Sequence, residues 1–264
     1  MNVLSAEDNF AVVVSYGNGR NYKAIATVLQ RQGIPVITVP TQRWIRDHYI
    51  MSAHGEYLRC VDARSGEGGM SVMSGANMFI SDCVDVRGRK ESLPRFWERI
   101  ERMASMESGY TAHVLPTFRR STAPQFHPHV DLYTMALGNY LIVDRSGPYQ
   151  LARSQEKTKL AARKAGVELI EFKGDVGVCH PLNCLILGKK VFGDAGAKNL
   201  ASLVTSLGYS YIGIPWAWAA YDPGKVRCQT NIFLLDKGTP LESLIDSHAD
   251  VVVKRENNFF SYAD

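Results

Sequence analysis

Apolar residues recur along this chain in short blocks that switch between two periods. "FAVVVSY" (10–16) reads as a strand, "NYKAIATVLQRQG" (21–33) as a helix, and "IPVITVP" (34–40) as a second strand. The same order returns in "NMFISDC", "PRFWERIERMASM" and "TAHVLPT", then in "NYLIVD", "SQEKTKLAARKAG" and "VELIEFK". It returns again in "NCLILGKKVFGD", "AKNLASLVTSLG" and "YSYIGIP", and last in "TNIFLLD", "PLESLIDS" and "ADVVVKRE". Gly closes the helices in "RQGIP", "KAGVE" and "SLGYS", where it takes the left-handed cap conformation before the next strand. Units of about 40 to 65 residues built alike predict a closed or stacked array. A doubly wound parallel sheet also alternates strand and helix. Here the extra strands "EYLRCV", "GGMSVM" and "HVDLYTMAL" sit next to strands of the same unit, which favours small mixed sheets in a ring. No low-complexity linker divides the chain, so residues 1–264 read as one α/β domain whose polar motifs converge on an axis.

Composition narrows the function classes. The formal charge is +4 over 264 residues, with Lys and Arg scattered in short clusters such as "VRGRK" and "FRR", so no basic stripe argues for nucleic acid. No apolar stretch is long enough to span a bilayer, and "MNVLSAEDNF" does not read as a leader, so the expected location is the cytoplasm. Five cysteines at irregular spacing argue for reduced thiols over a disulfide framework, and one of them can be a nucleophile.

The stretch "FHPHVDLYTMALGNYLIVD" puts His127, His129 and Asp131 on alternate positions, hence on one face of an extended segment. Two chemistries suit that face: a metal site, or a general acid beside a carboxylate. Three further signatures open other units: "RWIRDHY" with Asp47, "SGEGGMSV" with Glu67 and "KVRCQTNIF" with Cys228. Taken singly, each has a plain structural role. Arg46 and Asp47 can form an ion pair, Glu67 can open a turn before Gly68 and Gly69, His129 can be a core histidine, and Cys228 a small buried hydrophobe. Together, a thiol, a histidine and three carboxylates suit a planar cation. A guanidinium pairs with carboxylates through its forked N–H groups, and its carbon accepts a nucleophile. With no substrate bound, the carboxylates are expected to repel one another.

The order "WIRD", "EGG", "HVD" and "CQTN" resembles the guanidino-group-modifying enzymes of the pentein superfamily, which include agmatine, arginine and peptidylarginine deiminases, dimethylarginine dimethylaminohydrolase and the amidinotransferases. "LNCLILGKKVFGDAGAKNLASLVTSLGY" also resembles their penultimate unit, and the similarity runs from about Ile37 to Leu235. The resemblance implies a five-unit pseudosymmetric α/β propeller with its site on the axis. It makes Cys228 the nucleophile and His129 the general acid, then base. Asp47 and Asp131 would grip the guanidinium, and Glu67 would hold a guanidinium nitrogen or orient His129. It implies no cofactor and no metal. "HPHVD" is similar to the start of the metallo-β-lactamase signature, but Leu132 stands where that pattern has a further histidine, and "CHPLNC", with Cys179, His180 and Cys184, has no second ligand pair.

The chain lacks the glycine-rich run that precedes the nucleophile in agmatine deiminases and carries "AAYDPGKVRCQTN" there. Trp216, Trp218 and Tyr221 in that approach are expected to close over substrate, Trp218 contacting it, or else to pack on the protein surface. Hydrolysis to a ureido product is the leading reaction. Transfer of the amidino group to an amine and a non-catalytic binding role are the alternatives. Free arginine needs a partner for its carboxylate, for which Arg46, Arg119, Arg120 and Arg227 are candidates. Agmatine, methylated arginine and peptidyl arginine stay open.

Overall fold

The computed structural model of the chain describes residues 9–16, 21–41, 44–60, 68–82, 93–115, 129–145, 155–216 and 225–245. Fourteen strands and five α-helices form five small sheets among these residues. One unit is repeated three times. A strand turns back antiparallel on the next, and a helix then returns the chain to a third strand parallel to the second. The copies are β5 (Ser71–Ser74), β6 (Asn77–Ser81), α2 (Leu93–Ser108) and β7 (Thr111–Leu115); then β8 (Thr134–Leu137), β9 (Tyr140–Asp144), α3 (Gln155–Ala165) and β10 (Glu168–Phe172). The third is β11 (Leu185–Leu187), β12 (Lys190–Asp194), α4 (Lys198–Ser206) and β13 (Ser210–Ile214).

A fourth copy is assembled from both ends of the chain. β1 (Phe10–Ser15), α1 (Tyr22–Arg31) and β2 (Val36–Val39) take their hairpin strand from β14 (Thr230–Leu234), with Val12 opposite Ile232 on one side and Val36 on the other. This corrects the last predicted unit. "TNIFLL" belongs with the first strands of the chain, α5 covers only Leu241–Leu244, and "ADVVVKRE" lies outside the described residues. A local strand-helix-strand pattern cannot reveal a partner more than two hundred residues away. "EYLRCV" also departs from expectation. Among the described residues its strand β4 (Tyr57–Arg59) pairs only with β3 (Tyr49–Met51), making a two-stranded sheet.

The helices form where apolar residues fall one turn apart. α1 buries Ile25 and Leu29, and α4 buries Leu200 and Val204, each an i, i+4 pair facing its sheet. Gly33, Gly166 and Gly208 follow α1, α3 and α4 with φ between +66° and +80°, as the sequence led us to expect.

The hydrophobic core lies between the sheets. Val13 and Val39 meet Ile45 and Tyr49 between the β14-β1-β2 and β3-β4 sheets. Ile50 joins Met78, Ile80 and Phe96 at the next seam. Val72 and Phe79 join Leu132, Leu141 and Val143, and Met135 and Ile142 join Leu182, Val191 and Leu200. Leu185, Phe192 and Ile214 then return to Val12, Ile25 and Leu29. Each fully buried Leu, Ile, Val or Phe contributes about 1.5–3 kcal/mol relative to an exposed one, so the seams couple the sheets strongly. No described helix is long and apolar enough to cross a membrane.

Candidate active site

Each motif sits on a tight turn just before the first strand of a sheet. Ile45–Asp47 is a 3-10 turn before β3, Gly68–Met70 one before β5, and Val130–Leu132 one before β8. Asn183 precedes β11, and Arg227 and Cys228 precede β14. Asp131 therefore lies within a 3-10 turn, while His129 is the extended residue in front of it, at φ −79° and ψ 107°. The strand alternation read from "HPHVD" does not apply at Asp131, and His127 lies outside the described residues.

Hydrogen bonds lace these turns together. The Arg46 N–H donates to the Cys228 carbonyl at 3.4 Å, and the Gly69 N–H to Asp47 Oδ1 at 3.0 Å. Asn183 Nδ2 donates to the Asp131 carbonyl at 3.3 Å, and the Arg227 N–H to the Asn183 carbonyl at 3.2 Å. Glycine is required where the turns touch. A Cβ on Gly68 would strike the backbone oxygen of Arg46, and one on Gly69 would strike the imidazole of His129. The absence of a side chain at Gly69 thus lets the His129 ring approach this turn closely.

Cys228 is 3% exposed, and Asp47 and Asp131 are buried with it, while His129 is half-buried. The Cys228 thiol donates toward Asp131 Oδ2 at 3.8 Å and accepts from Asn183 Nδ2 at 3.2 Å. Burial pushes the thiol pKa well up, and the carboxylates of Asp131 and Asp47 push it further; the Asn183 hydrogen bond and the Arg227 charge oppose them. Asp131 Oδ2 also receives Arg227 Nη1 at 2.6 Å, a buried ion pair. Its other oxygen, Oδ1, is shut off from solvent and accepts no hydrogen bond among the described residues.

Two residues escaped the sequence reading. Asn183 Oδ1 accepts the backbone N–H groups of both Cys228 and Lys225 at 3.1 Å, so this side chain holds the thiol and the turn that carries it. Its position before the first strand of a unit, equivalent to that of "HVD", was the available signal. Arg227 was considered only as a clamp for a substrate carboxylate. It is instead committed to Asp131 and to the carbonyls of Gly68 and Ser71, at 3.4 and 2.7 Å. Arg46 is 2% exposed and does not reach the surface either. Trp216 packs against the core cluster of Val12 and Val226, with Lys225 Nζ 4.7 Å from its ring. Glu67, Trp218, Tyr221, Arg119 and Arg120 lie outside the described residues. In the turn before Asn183, His180 takes φ +48°, which side-chain-bearing residues rarely adopt.

No protein-family model and no curated protein sequence matches the chain. Solved structures do. The agmatine deiminase of Enterococcus faecalis superposes at a TM-score of 0.58 with 12% identity, covering 85% of this chain and 93% of its own. A C. jejuni agmatine deiminase gives 0.57 and 13%, covering 90% and 96%. The chain has the pentein fold. A dimethylarginine dimethylaminohydrolase in an adduct with 4-chloro-2-hydroxymethylpyridine shares it, at 0.56 and 13% identity over 86% of this chain and all of its own.

Proposed function

We propose that the chain is a cysteine-dependent hydrolase acting on the guanidino group of a small molecule, in a single pentein domain arranged as a five-unit α/β propeller. The cyclic order of the hydrophobic seams and the pairing of β1 with β14 support the closed ring. The observation that carries the chemistry is Asp131. One oxygen lies beside the Cys228 sulfur and the other is a buried, unpartnered acceptor, which a guanidinium N–H would satisfy while its carbon faces the thiol.

The raised thiol pKa fits this reading. In the empty site Cys228 holds its proton, which protects it from adventitious chemistry. A guanidinium placed about 4 Å away contributes about 4 kcal/mol at an effective dielectric constant near 20, about a thousandfold in thiolate fraction. Substrate thus supplies the charge that activates its own nucleophile. The thiolate attacks the guanidinium carbon, and His129 protonates the departing ammonia or amine, leaving an amidino group on sulfur. Water then attacks that carbon with His129 as base, the C–S bond breaks, and a ureido product leaves. Asp47 and Glu67 would complete the carboxylate set. The test is a ureido-product assay on agmatine, arginine and methylated arginine with no amine acceptor added. Product that forms with wild type and not with Cys228→Ser supports the reading. No ureido product, with a new guanidino compound formed when an amine is added, would point to amidino transfer, and turnover retained in Cys228→Ser would remove the thiol from the chemistry.

A further inference from the structure

Asn183 stands two residues before β11 and is 1% exposed, so its amide meets only protein groups. That amide has one possible orientation. Oδ1 faces the backbone N–H groups of Lys225 and Cys228, each at 3.1 Å, and both of these can only donate. The flipped amide would set its own N–H groups against them. Nδ2 is thereby fixed toward two acceptors, the Asp131 carbonyl at 3.3 Å and the Cys228 sulfur at 3.2 Å. The sulfur faces a donor that cannot turn away, carried by the side chain that anchors the backbone of the same cysteine.

What this donor favours depends on the charge on sulfur. A thiol is a weak acceptor, as is a sulfur bonded to two carbons, whereas a thiolate makes a charge-assisted hydrogen bond about twice as strong as a neutral one. The surroundings give that bond something to oppose. Burial, then the carboxylates of Asp131 and Asp47, raise the thiol pKa, and the Asn183 hydrogen bond heads the influences that lower it, ahead of Arg227.

We propose that Asn183 is a further catalytic residue, an N–H donor that stabilises the Cys228 sulfur whenever it carries negative charge. In the reaction that charge arises twice. It is present before attack, and it returns when water adds to the amidino carbon, giving one proton to His129 and the other to solvent. The C–S bond then breaks with its electron pair left on sulfur, and Asn183 donates to the departing thiolate. This place in the reaction rests on the proposed function, although the donation to sulfur does not.

Asn183→Leu keeps the branched outline of the side chain and removes its hydrogen bonds. Two roles for Asn183 then predict opposite signs. Were it only an anchor, the loosened turn would admit water to a thiol that burial holds protonated, and alkylation of Cys228 would speed up. Loss of a donor to the thiolate slows alkylation instead.

The test measures the rate at which iodoacetamide modifies Cys228 in the full chain at about pH 8, read by peptide mass, with circular dichroism showing that the variant is folded. Asn183→Leu should react at least about threefold more slowly than wild type. A rise of about one pKa unit cuts the thiolate tenfold, and the greater nucleophilicity of the more basic sulfur recovers part of that loss. A second measurement needs no variant of Asn183. In full-length protein labelled with 15N, one Nδ2 proton resonance of Asn183 should differ between wild type and Cys228→Ala, and the other, held by the Asp131 carbonyl, should stay in place. Alkylation as fast as in wild type or faster in folded Asn183→Leu would overturn the proposal, and so would Nδ2 resonances that ignore the loss of sulfur. Should Asn183→Leu fail to fold, the resonances decide. Neither readout uses turnover, so their failure leaves the hydrolase reading standing, and failure of the ureido assay leaves the donor standing.

Discussion

Cys228 holds a proton that folding makes hard to remove, and this has a measurable sign. Its pKa is raised in the folded chain by burial and by Asp131 and Asp47. Above about pH 8.5 the unfolded chain gives up the proton while the folded chain keeps it, so stability falls as pH rises. The slope from one such group is about 1.4 kcal/mol per pH unit. Denaturant titrations at about pH 9 and pH 10 should show Cys228→Ser losing less stability than wild type by about that amount. Parallel losses would mean that the thiol is not held protonated. The ion pair of Asp131 with Arg227 and the role proposed for it in catalysis can be separated by a double variant. Asp131→Asn should lower kcat/KM about a hundredfold, close to 3 kcal/mol, and should also destabilise by about 3–5 kcal/mol, because buried Arg227 loses its counter-charge. Adding Arg227→Met should restore part of the stability and none of the activity. Recovery of both would make Asp131 a structural partner only. The sequence alone suggested that the gathered carboxylates would repel, since nothing in "KVRCQTN" indicates that Arg227 folds back onto Asp131 across 96 positions.

At the scale of elements, the repeat was readable because strand and helix periods are local, and so were the glycine helix ends. The turns that hold the proposed site were not. "WIRD", "EGG" and "HVD" identified the residue types, but three-residue 3-10 turns have too little periodicity to be seen, and "HPHVD" imitates a strand. Asn183 escaped for a related reason, as its role depends on Cys228, which lies 45 positions away. The two glycines of "EGG" should behave differently when changed to alanine. Gly69→Ala pushes on the half-buried His129 ring, which can move, so kcat/KM should fall at least about tenfold while the melting temperature changes by only a few degrees. Gly68→Ala pushes on the Arg46 backbone, which cannot move without breaking the bond to Cys228, so it should be the strongly destabilising change. Melts and kinetics of both variants decide this. Equal effects would mean that the turns do not meet as described.

For the whole molecule, the seams that join the sheets predict cooperative unfolding. Phe79 is fully buried between the β5-β6-β7 and β8-β9-β10 sheets, and Phe79→Ala should cost about 3–5 kcal/mol. The variant should still unfold in one transition, with fluorescence and circular dichroism coinciding, because every sheet shares a seam with two others. Separated transitions would show that the sheets are independent. The fold class could be read from the sequence, whereas the closure of the first sheet by β14 could not, since strand pairing over such a distance leaves no local trace.

The central claim is a covalent bond between substrate carbon and Cys228, and trapping it is the most direct test. Turnover of a guanidino substrate labelled at its central carbon, stopped with acid in the first cycle and followed by peptide mapping, should place the label on Cys228 and on no other cysteine. In Cys228→Ser no labelled peptide should appear. Ureido product formed by wild type with no label on Cys228 at any quench time, or with the label on Cys179 or Cys184, would contradict the account.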